Sequence, residues 1–394
     1  MFSEKMHALG TSPSVIRDLF EYGNKRKAEI GADKVFDFSI GNPSVEPPVK
    51  VKETIEKLLN ESDGVSLHGY TSGPGDMSVR MAVSDYIEKT HGAKASPNHI
   101  YMTCGAAASL TVTLGALCED GDEFITFAPY FPEYRVFVES AGAVFKAAES
   151  DKNDLQPDLA SLEKLITPHT KGIILNSPNN PSGVVVSEEN IIKLCELLTK
   201  KSAEIGHPIV LISDEPYREL VYGDVKVPYL MNYYDDTIVC YSYSKSLSLP
   251  GERIGYIAVS DKMTGADDAF FAICGSGRSM GYVCAPSLFQ RVIKECQGMT
   301  SDISVYEKNR KKLLDALTSY GYRCVSPDGA FYLFVEALEK DAKAFSEKAK
   351  EYELLLVPSD SFGVEGFVRI SYCVSTEQIE NSLPAFEALA KAYK

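Results

Sequence analysis

Short apolar runs, rich in β-branched and aromatic residues, recur along the chain between about residues 50 and 290. Segments with helical periodicity separate several of them, notably AAASLTVTLGALC after the first run and SEENIIKLCELLTKK between two later ones. Apolar strands that alternate with helices are typical of a mostly parallel sheet covered on both faces. The pattern therefore predicts an α/β domain with a mostly parallel seven-stranded sheet flanked by helices. The strand-like runs are HIYMT, DEFITF, GAVFKA, KGIILNS, PIVLISD, TIVCYSY and RIGYIAV.

The two ends of the chain have a different pattern. After about residue 290, helical runs precede two strand-like segments, AFYLFVE and FVRISYC, and a helix closes the chain. Near the start, apolar residues repeat at helical spacing after Ser12–Pro13, the expected N-cap and first helical residue. We expect a large domain over residues 45–290 and a smaller α+β domain that combines residues 1–44 with residues 291–394.

The composition is that of a globular protein, with 44% hydrophobic and 24% charged residues among 394. The 55 acidic and 40 basic residues give a net charge of -15, which argues against a nucleic-acid-binding surface but allows a local basic pocket. The nine cysteines include no C-x-x-C pair and the six histidines are dispersed, so we expect no metal site. The N-terminus lacks an apolar signal segment, and no run of eighteen apolar residues occurs. We therefore expect a cytoplasmic protein without a membrane partner.

A lysine follows one of the predicted strands directly. Residues Tyr241–Ser246 read YSYSKS, so that Lys245 is flanked by hydroxyls just past an apolar strand. Burial there lowers the pKa of an amine and makes it nucleophilic, whereas a lysine on the surface is simply solvated. Ser242 and Arg253, separated by a turn, can converge on one phosphate, because a guanidinium group donates to two oxygens at once.

Further polar side chains stand at the ends of other predicted strands. Asp214, after PIVLIS, either caps a turn or places a buried carboxylate behind a pyridine nitrogen, which it keeps protonated. Tyr217 can donate to the phenolic oxygen of the same ring, and so can Asn180 after KGIILNS, although Asn-Pro and Ser-Gly are also ordinary turn sequences. In an open α/β sheet ligands bind outside the carboxyl ends of the strands, so we expect these groups to meet there.

Three other features complete the candidate chemistry. Gly105–Ala108 joins a strand to a helix, where backbone N–H groups can meet an anion or where the helix simply packs tightly. Phe131 can stack on a flat cofactor or belong to the core. Arg369, inside FVRISYC, forms a structural salt bridge or captures a substrate carboxylate. Together the features supply a carbonyl-reactive amine, a ring-nitrogen carboxylate, phenolic-oxygen donors, a phosphate site and a carboxylate site.

In this order the motifs resemble those of the class I/II aminotransferases of the aspartate aminotransferase superfamily, and the resemblance covers nearly the whole chain. It implies the fold of the pyridoxal-phosphate (PLP)-dependent transferases (fold type I), with PLP as cofactor. It also implies a ping-pong transfer of an amino group between an L-amino acid, with aspartate- or glutamate-type substrates favoured, and a 2-oxo acid. The matching motifs are Gly41-Asn42-Pro43, Tyr70–Gly75, Gly105-Ala106-Ala107, Asn180–Gly183, Asp214–Tyr217, Ser242–Lys245 with Arg253, and Arg369.

The resemblance also implies a role for each residue. Lys245 is expected to form the Schiff base with the cofactor and to move the proton at the substrate's Cα. Asp214 is expected to pair with the pyridine nitrogen, and Asn180 and Tyr217 with the phenolic oxygen. Tyr70 is expected to reach the phosphate from a partner subunit, which implies a homodimer with shared active sites. The remaining assignments are Phe131 for ring stacking, Ala106, Ala107, Ser242, Ser244 and Arg253 for the phosphate, and Gly41, Asn180 and Arg369 for the substrate.

Two departures and one open question concern the details. Phe131 stands where aspartate enzymes usually have tryptophan, and alanines occupy the phosphate turn where hydroxyl-bearing residues are common. Arg278 falls near the position from which the family's distal-carboxylate arginine reaches the neighbouring subunit, but a solvated or helix-capping arginine is the alternative. Aromatic or alanine-type substrates therefore stay open, with Phe131, Tyr70 and Tyr134 expected to line the pocket.

Three other functions are compatible with parts of the pattern. A PLP-dependent C–S β-lyase or decarboxylase keeps every cofactor residue and differs only in the bond that breaks. A nicotinamide dehydrogenase also has alternating strands and helices, but it needs G-x-G-x-x-G after the first strand, and GSGRSMG lacks that spacing. A non-enzymatic binding protein gives no reason for Lys245, Asp214 and Arg253 to stand together at strand ends.

Overall fold

The structure, a computed structural model, describes residues 1–11 and 14–394. The strands are β1 (Phe36–Asp37), β2 (Ile100–Thr103), β3 (Glu123–Phe127), β4 (Val144–Ala148), β5 (Thr170–Asn176), β6 (Val210–Glu215), β7 (Thr237–Ser242), β8 (Gly255–Val259), β9 (Cys324–Val325), β10 (Tyr332–Glu336), β11 (Leu354–Leu355), β12 (Val357–Pro358) and β13 (Phe367–Ser371). The helices are α1 (Glu4–Thr11), α2 (Val15–Ile30), α3 (Val49–Glu61), α4 (Gly64–His68), α5 (Met77–His91), α6 (Ala106–Leu117), α7 (Glu133–Ser140), α8 (Leu159–Leu165), α9 (Glu188–Ile205), α10 (Tyr243–Ser246), α11 (Ala266–Ser279), α12 (Ser287–Lys294), α13 (Ser304–Tyr320), α14 (Ala342–Lys350) and α15 (Thr376–Lys391). The expected helix start at Ser12–Pro13 lies outside the described residues.

The central sheet has seven strands in the order β2-β8-β7-β6-β5-β3-β4. The strands from β7 to β4 run parallel to one another, and β8 is antiparallel to both of its neighbours. The seven strand-like runs of the sequence correspond to β2–β8, so the predicted mostly parallel seven-stranded sheet is confirmed.

Alternate side chains of the central strands enter cores on opposite faces of the sheet. In β6, Val210 and Ile212 pack with residues of α6 and α11, whereas Leu211 packs with residues of α9. Because successive strand residues point to opposite faces, a strand covered on both sides must be apolar throughout. This double burial explains why the strands are continuous apolar runs rather than alternating ones.

Polar residues interrupt the apolar pattern where three neighbouring strands end. Asn176 is the last residue of β5, Asp214 lies next to the end of β6, and Ser242 ends β7. The strands are paired so that Asn176 is opposite Asp214, which places these side chains along one edge of the sheet. The expected meeting of polar groups at the carboxyl edge is therefore observed.

The last strands of the chain form a smaller antiparallel sheet in the order β12-β13-β10-β9. The N-terminal strand β1 pairs with β11 in parallel, and the Ser371 N–H donates to Phe38 O at 3.0 Å. The domain boundary expected at residue 290 falls inside α12, whose Val292 and Ile293 pack with core residues of the large sheet. We therefore propose that the large domain extends through α12. None of the helices in the described ranges has the length and hydrophobicity that a membrane-spanning segment requires.

Candidate active site

A pocket of about 270 Å³ opens at the edge where β5, β6 and β7 end. It brings together every residue assigned above to the cofactor or the substrate, except Tyr70 and Arg278. The remaining lining residues are Ile16, Leu110, Asn176, Pro216, Pro250 and Tyr332.

Lys245 lies on α10, the single turn that follows β7. Ser242 begins this turn, because its Oγ accepts a hydrogen bond from the Ser244 N–H at 3.2 Å. The Lys245 Nζ donates to Gly41 O at 2.6 Å. Burial, together with the positive charges of Arg253 and Arg369, lowers the pKa of this amine to about 8. A substantial fraction of the amine is therefore neutral, and nucleophilic, near physiological pH.

Asp214 has one satisfied and one unsatisfied carboxylate oxygen. Its Oδ2 accepts a hydrogen bond from the Tyr134 hydroxyl at 2.5 Å. Its Oδ1 is buried and has no hydrogen-bond partner among the described residues. Burial raises the pKa of the carboxyl to about 7, although the hydrogen bond from Tyr134 opposes the shift. A buried oxygen without a partner is costly, so the site is complete only with a donor or a cation at Oδ1.

A candidate anion site lies at the start of α6. Helix α6 begins at Ala106 after Gly105, whose φ of +89° favours glycine. A Cβ on Gly105 would lie 3.0 Å from Nη2 of Arg253, so glycine lets the guanidinium group approach the start of the helix. The Ser242 and Ser244 hydroxyls, 2.8 Å apart, line the same region. Free helix N–H groups, hydroxyls and a guanidinium form a site suited to a phosphate.

Asn180 and Tyr217 are both held by buried hydrogen bonds. The Asn180 backbone N–H donates to Oδ1 of Asn176 at 2.7 Å, and its side-chain Oδ1 accepts from Nη1 of Arg369 at 3.0 Å. The hydroxyl oxygens of Tyr217 and Tyr332 are 2.9 Å apart. Asn180 thus keeps its amide N–H group, and Tyr217 its hydroxyl, in positions that line the pocket.

Arg369 is 2% exposed in the centre of β13. Its Nη2 donates to Ser39 O at 2.5 Å, and its guanidinium carbon lies 4.6 Å from the centre of the Tyr332 ring. Burial lowers the pKa of the guanidinium, and no carboxylate of the described residues contributes to that pKa. The salt-bridged structural arginine is therefore not observed among these residues, and the charge faces the pocket without a counter-ion.

The charge of the pocket is opposite to that of the whole chain. Among the described lining residues, the cations are Lys245, Arg253 and Arg369, and the acid is Asp214. The chain as a whole carries a charge of -15. The local excess of positive charge suits ligands with several negative charges.

Three of the expected pocket residues are elsewhere. Tyr70 is 99% exposed, and Arg278 is exposed in the last turn of α11; neither lines the pocket of its own chain. Tyr134 was expected to line the pocket, but it is 1% exposed and lies behind Asp214. The reason is that its hydroxyl is directed into the protein by the short hydrogen bond to the carboxylate.

Sequence reasoning also missed functional candidates. Asn176 donates from Nδ2 to Asp214 O at 2.9 Å and accepts from Asn180, so it ties two site segments together. Its position at the end of a buried strand is the same signal that marked Asp214. Tyr332 and Ile16 carried no such signal, because each lies in an apolar pattern that indicates core packing.

Comparison with known proteins agrees with this geometry. The sequence profile described as aminotransferase class I and II matches residues 33–386. The chain belongs to this family. It is 28% identical to aromatic-amino-acid aminotransferase 2 of Thermococcus litoralis, over 97% of each chain. It is also 28% identical to an aspartate aminotransferase of Pyrococcus abyssi, again over 97% of each. A solved aminotransferase structure from Eubacterium rectale is 55% identical, covers 100% of this chain and 99% of its own, and superimposes with a TM-score of 0.98.

As a class I/II aminotransferase, the protein is a PLP-dependent transaminase. The relatives are named as aminotransferases, and the β-lyase or decarboxylase alternative is not favoured. Two observations in the pocket fit the cofactor independently of the relatives. The buried Oδ1 of Asp214 lacks the partner that a protonated ring nitrogen supplies, and the α6 start with Arg253 provides donors for a phosphate.

Proposed function

We propose that this aminotransferase takes the amino group from an acidic L-amino acid of the aspartate or glutamate type and passes it to a 2-oxo acid in a ping-pong cycle. The observation that supports an amino acid and a 2-oxo acid as substrates is Arg369, a buried cation that faces the pocket and has no carboxylate partner among the described residues. A guanidinium group binds a carboxylate through two parallel hydrogen bonds. Arg369 therefore supplies the site for the α-carboxylate that every amino acid and 2-oxo acid substrate carries.

The other lining residues are proposed to hold the cofactor. Asp214 pairs with the ring nitrogen, Asn180 and Tyr217 donate to the phenolic oxygen, and Phe131 packs against the ring. The phosphate is held by the backbone N–H groups at the start of α6 and by three side chains. Bound PLP supplies an electron sink that stabilises negative charge at the substrate's Cα. The residues proposed for the phosphate are Ala106, Ala107, Ser242, Ser244 and Arg253.

Lys245 is proposed both to bind the cofactor covalently and to move the substrate proton. Because burial lowers its pKa to about 8, the amine that substrate displaces is neutral often enough to accept the proton from Cα. Its nitrogen donates to Gly41 O at 2.6 Å and lines the same pocket as Arg369, which is proposed to bind the substrate. With PLP bound, the same amine would carry this proton from the substrate to the cofactor.

A second copy of the chain is proposed to complete each site. Tyr70 is 99% exposed in a loop that rests on the segment after α11, where the Cys284 N–H donates to Gly73 O at 3.3 Å. In this segment the Tyr282 N–H donates a hydrogen bond to Gly277 O at 2.8 Å. Gly277 is the residue before Arg278. The segments that carry Tyr70 and Arg278 are therefore joined by backbone contacts, and both side chains are exposed. In a homodimer Tyr70 would reach the partner's phosphate site, and Arg278 the partner's substrate pocket.

The cytoplasmic location of the protein stays a prediction.

The distal carboxylate of an acidic substrate needs a further cation, beyond the three that line the pocket in the described part of the chain. Lys245 and Arg253 are engaged by the cofactor in this proposal, and Arg369 by the α-carboxylate. Arg278 of a partner subunit would supply the missing charge. An aromatic substrate is the second candidate, because Ile16, Leu110 and Phe131 give the described lining an apolar portion and one relative is named for aromatic amino acids.

The experiment that separates these substrates is steady-state kinetics of Arg278→Ala with glutamate, alanine and phenylalanine. We expect KM for glutamate to rise about tenfold or more, since the variant leaves a carboxylate unpaired, while alanine and phenylalanine change little. Arg323→Ala removes an exposed arginine that pairs with Glu336 and serves as the control. Equal changes for all three substrates would exclude Arg278 from substrate recognition.

Mixing two defective chains tests the shared site. Lys245→Ala chains should be inactive, and Arg278→Ala chains should have a high KM for glutamate. In a mixed dimer, one of the two sites combines Lys245 from one chain with Arg278 from the other, and this site is intact. We expect the mixture, after subunit exchange, to recover part of the wild-type activity at low glutamate concentration. Activity that never exceeds the sum of the separate variants would contradict the shared site.

A further inference from the structure

Tyr332 lines the pocket from the smaller sheet, as the first residue of β10. It is 3% exposed, and its hydroxyl oxygen lies 2.9 Å from that of Tyr217. The guanidinium carbon of Arg369 lies over one face of the Tyr332 ring, 4.6 Å from the ring centre. The residue thus contacts both the proposed donor to the cofactor's phenolic oxygen and the proposed carboxylate site.

A third contact fixes the Tyr332 hydroxyl against the backbone. A Cβ built on Gly41 would overlap this hydroxyl, so the absence of a side chain at Gly41 lets the tyrosine reach Tyr217. The carbonyl of Gly41 accepts the hydrogen bond from Lys245 Nζ at 2.6 Å. The Tyr332 hydroxyl therefore lies between Gly41, whose carbonyl binds Lys245, and Tyr217, the proposed donor to the cofactor's phenolic oxygen.

The direction of the hydrogen bond between the two tyrosines follows from the proposed function, on which this step rests. If Tyr217 donates its proton to the phenolic oxygen, that proton is not available to Tyr332. Tyr332 must then be the donor and Tyr217 the acceptor. Hydrogen bonds in such a chain polarise one another, so the bond from Tyr332 strengthens the bond that Tyr217 makes to the ring.

We propose that Tyr332 is a positioning residue with two separable contributions: its hydroxyl orients and polarises Tyr217, and its ring holds the guanidinium of Arg369 in place for the substrate's α-carboxylate. The ring contribution relies on the attraction between a guanidinium group and an aromatic face. Because different parts of one side chain make the two contributions, two substitutions can separate them.

Tyr332→Phe removes the hydroxyl and keeps the ring. With PLP bound to Lys245, the phenolic oxygen would carry negative charge that attracts the proton on the lysine nitrogen. A weaker hydrogen bond from Tyr217 leaves more of this charge free, so the proton is held more tightly. We expect the pKa of the visible absorption band to rise by about half a unit, with KM for each amino acid within about twofold of the wild type.

A double-mutant cycle with Tyr217→Phe ties the effect to that residue. Tyr217→Phe should raise the same pKa by more than Tyr332→Phe does. Adding Tyr332→Phe to Tyr217→Phe should raise it no further, because the contact through which Tyr332 acts is already absent. Additive shifts of the two substitutions would overturn the role assigned to the hydroxyl.

Tyr332→Leu removes the ring as well. We expect KM for every α-amino acid to rise about tenfold compared with Tyr332→Phe, while the pKa of the band matches that of Tyr332→Phe. An unchanged KM would overturn the role assigned to the ring.

Tyr372→Phe is the matched control, because it removes a hydroxyl from another buried pair of tyrosines. The hydroxyl oxygens of Tyr372 and Tyr222 are 3.3 Å apart, and neither residue lines the pocket. It should leave both the pKa and KM unchanged, and a similar shift in this variant would overturn the proposal.

A wild-type protein whose visible band does not titrate would instead contradict the proposed function of Lys245 and Tyr217 themselves. A titrating wild-type band that Tyr217→Phe shifts and Tyr332→Phe does not would overturn only the role of Tyr332.

Discussion

The Tyr134 hydroxyl donates a 2.5 Å hydrogen bond to Oδ2 of Asp214, and the other oxygen of this carboxylate, Oδ1, is buried without a partner in the described chain. Two opposing effects act on the carboxyl. Burial raises its pKa to about 7, and the hydrogen bond from Tyr134 lowers it. Tyr134 therefore helps to keep Asp214 ionised, which is the form that can pair with a protonated ring nitrogen.

Tyr134→Phe is expected to weaken cofactor binding in a pH-dependent way. Loss of the hydrogen bond lets burial raise the pKa of Asp214 further above 7, so the carboxyl is protonated at neutral pH. A hydrogen bond to a charged group contributes roughly 1.5–3 kcal/mol, so affinity for PLP at pH 7 should fall about tenfold or more. The loss should shrink above pH 9, where the carboxyl ionises in the variant too. Equilibrium titration of the cofactor-free proteins across this pH range measures both effects.

Tyr130→Phe is the control for this experiment. Tyr130 lies four residues earlier, is also buried, and has no hydrogen bond to Asp214. Its substitution should leave the affinity for PLP near the wild-type value at every pH. A pH-independent loss in Tyr134→Phe would mean that Tyr134 acts through packing alone.

The predicted site residues at the ends of β6 and β7 share one signal, a polar side chain at the end of a buried strand. Asp214 and Ser242 interrupt apolar runs that local pattern recognises as strands, and the parallel sheet then places those ends side by side. Lys245 follows Ser242 by one turn of helix. For these positions, the local pattern and the arrangement of strands in a parallel sheet together are sufficient to predict that the side chains lie at one edge of the sheet.

The parts that could not be predicted depend on long-range pairing. Tyr332 lies in the apolar run AFYLFVE and reaches the pocket only because β10 pairs with β13 and faces the turn after β6. Tyr134 was placed in the pocket lining, but the pattern cannot show that its hydroxyl turns inward to a carboxylate eighty positions away. The proposed extension of the large domain through α12 also depends on long-range packing, because that helix packs on the large sheet without belonging to its alternating pattern.

Covalent binding of PLP should depend on pH with a midpoint near 8. Burial lowers the pKa of Lys245 from its ordinary 10.5 to about 8, so the reactive neutral amine increases about tenfold per pH unit below 8 and is constant above it. The rate at which the visible band appears, after PLP is mixed with cofactor-free protein, should follow this curve. Lys245→Ala should give no band.

The same measurement with Nα-acetyl-lysine corrects for the titration of PLP itself. The free amine should react faster with each pH unit up to about 10.5, whereas the protein should reach its plateau near pH 8. A protein curve that continues to rise beyond pH 10 would show that the lysine is not desolvated as the structure indicates.

The turn that carries Asp214 and Tyr217 is anchored by a buried ion pair. The Arg218 side chain is 6% exposed and Glu215 is 1% exposed; Arg218 Nη2 donates to Glu215 Oε1 at 2.7 Å and to Pro228 O at 3.0 Å. The Ser213 hydroxyl also donates to Glu215 Oε1, at 2.7 Å. Removing one partner of such a pair leaves a buried charge without compensation, which costs about 3–5 kcal/mol.

Arg218→Met should therefore lower the free energy of unfolding by roughly 3 kcal/mol or more, measured from urea unfolding of the cofactor-free protein. Glu215→Gln added to Arg218→Met should recover much of the loss, because it removes the uncompensated charge. The exposed pair of Lys193 and Glu189 is the control, and Lys193→Met should cost at most about 0.5 kcal/mol. If Arg218→Met is no more damaging than Lys193→Met, the ion pair does not stabilise the turn, and the position of Asp214 must be maintained by the sheet and Tyr134 instead.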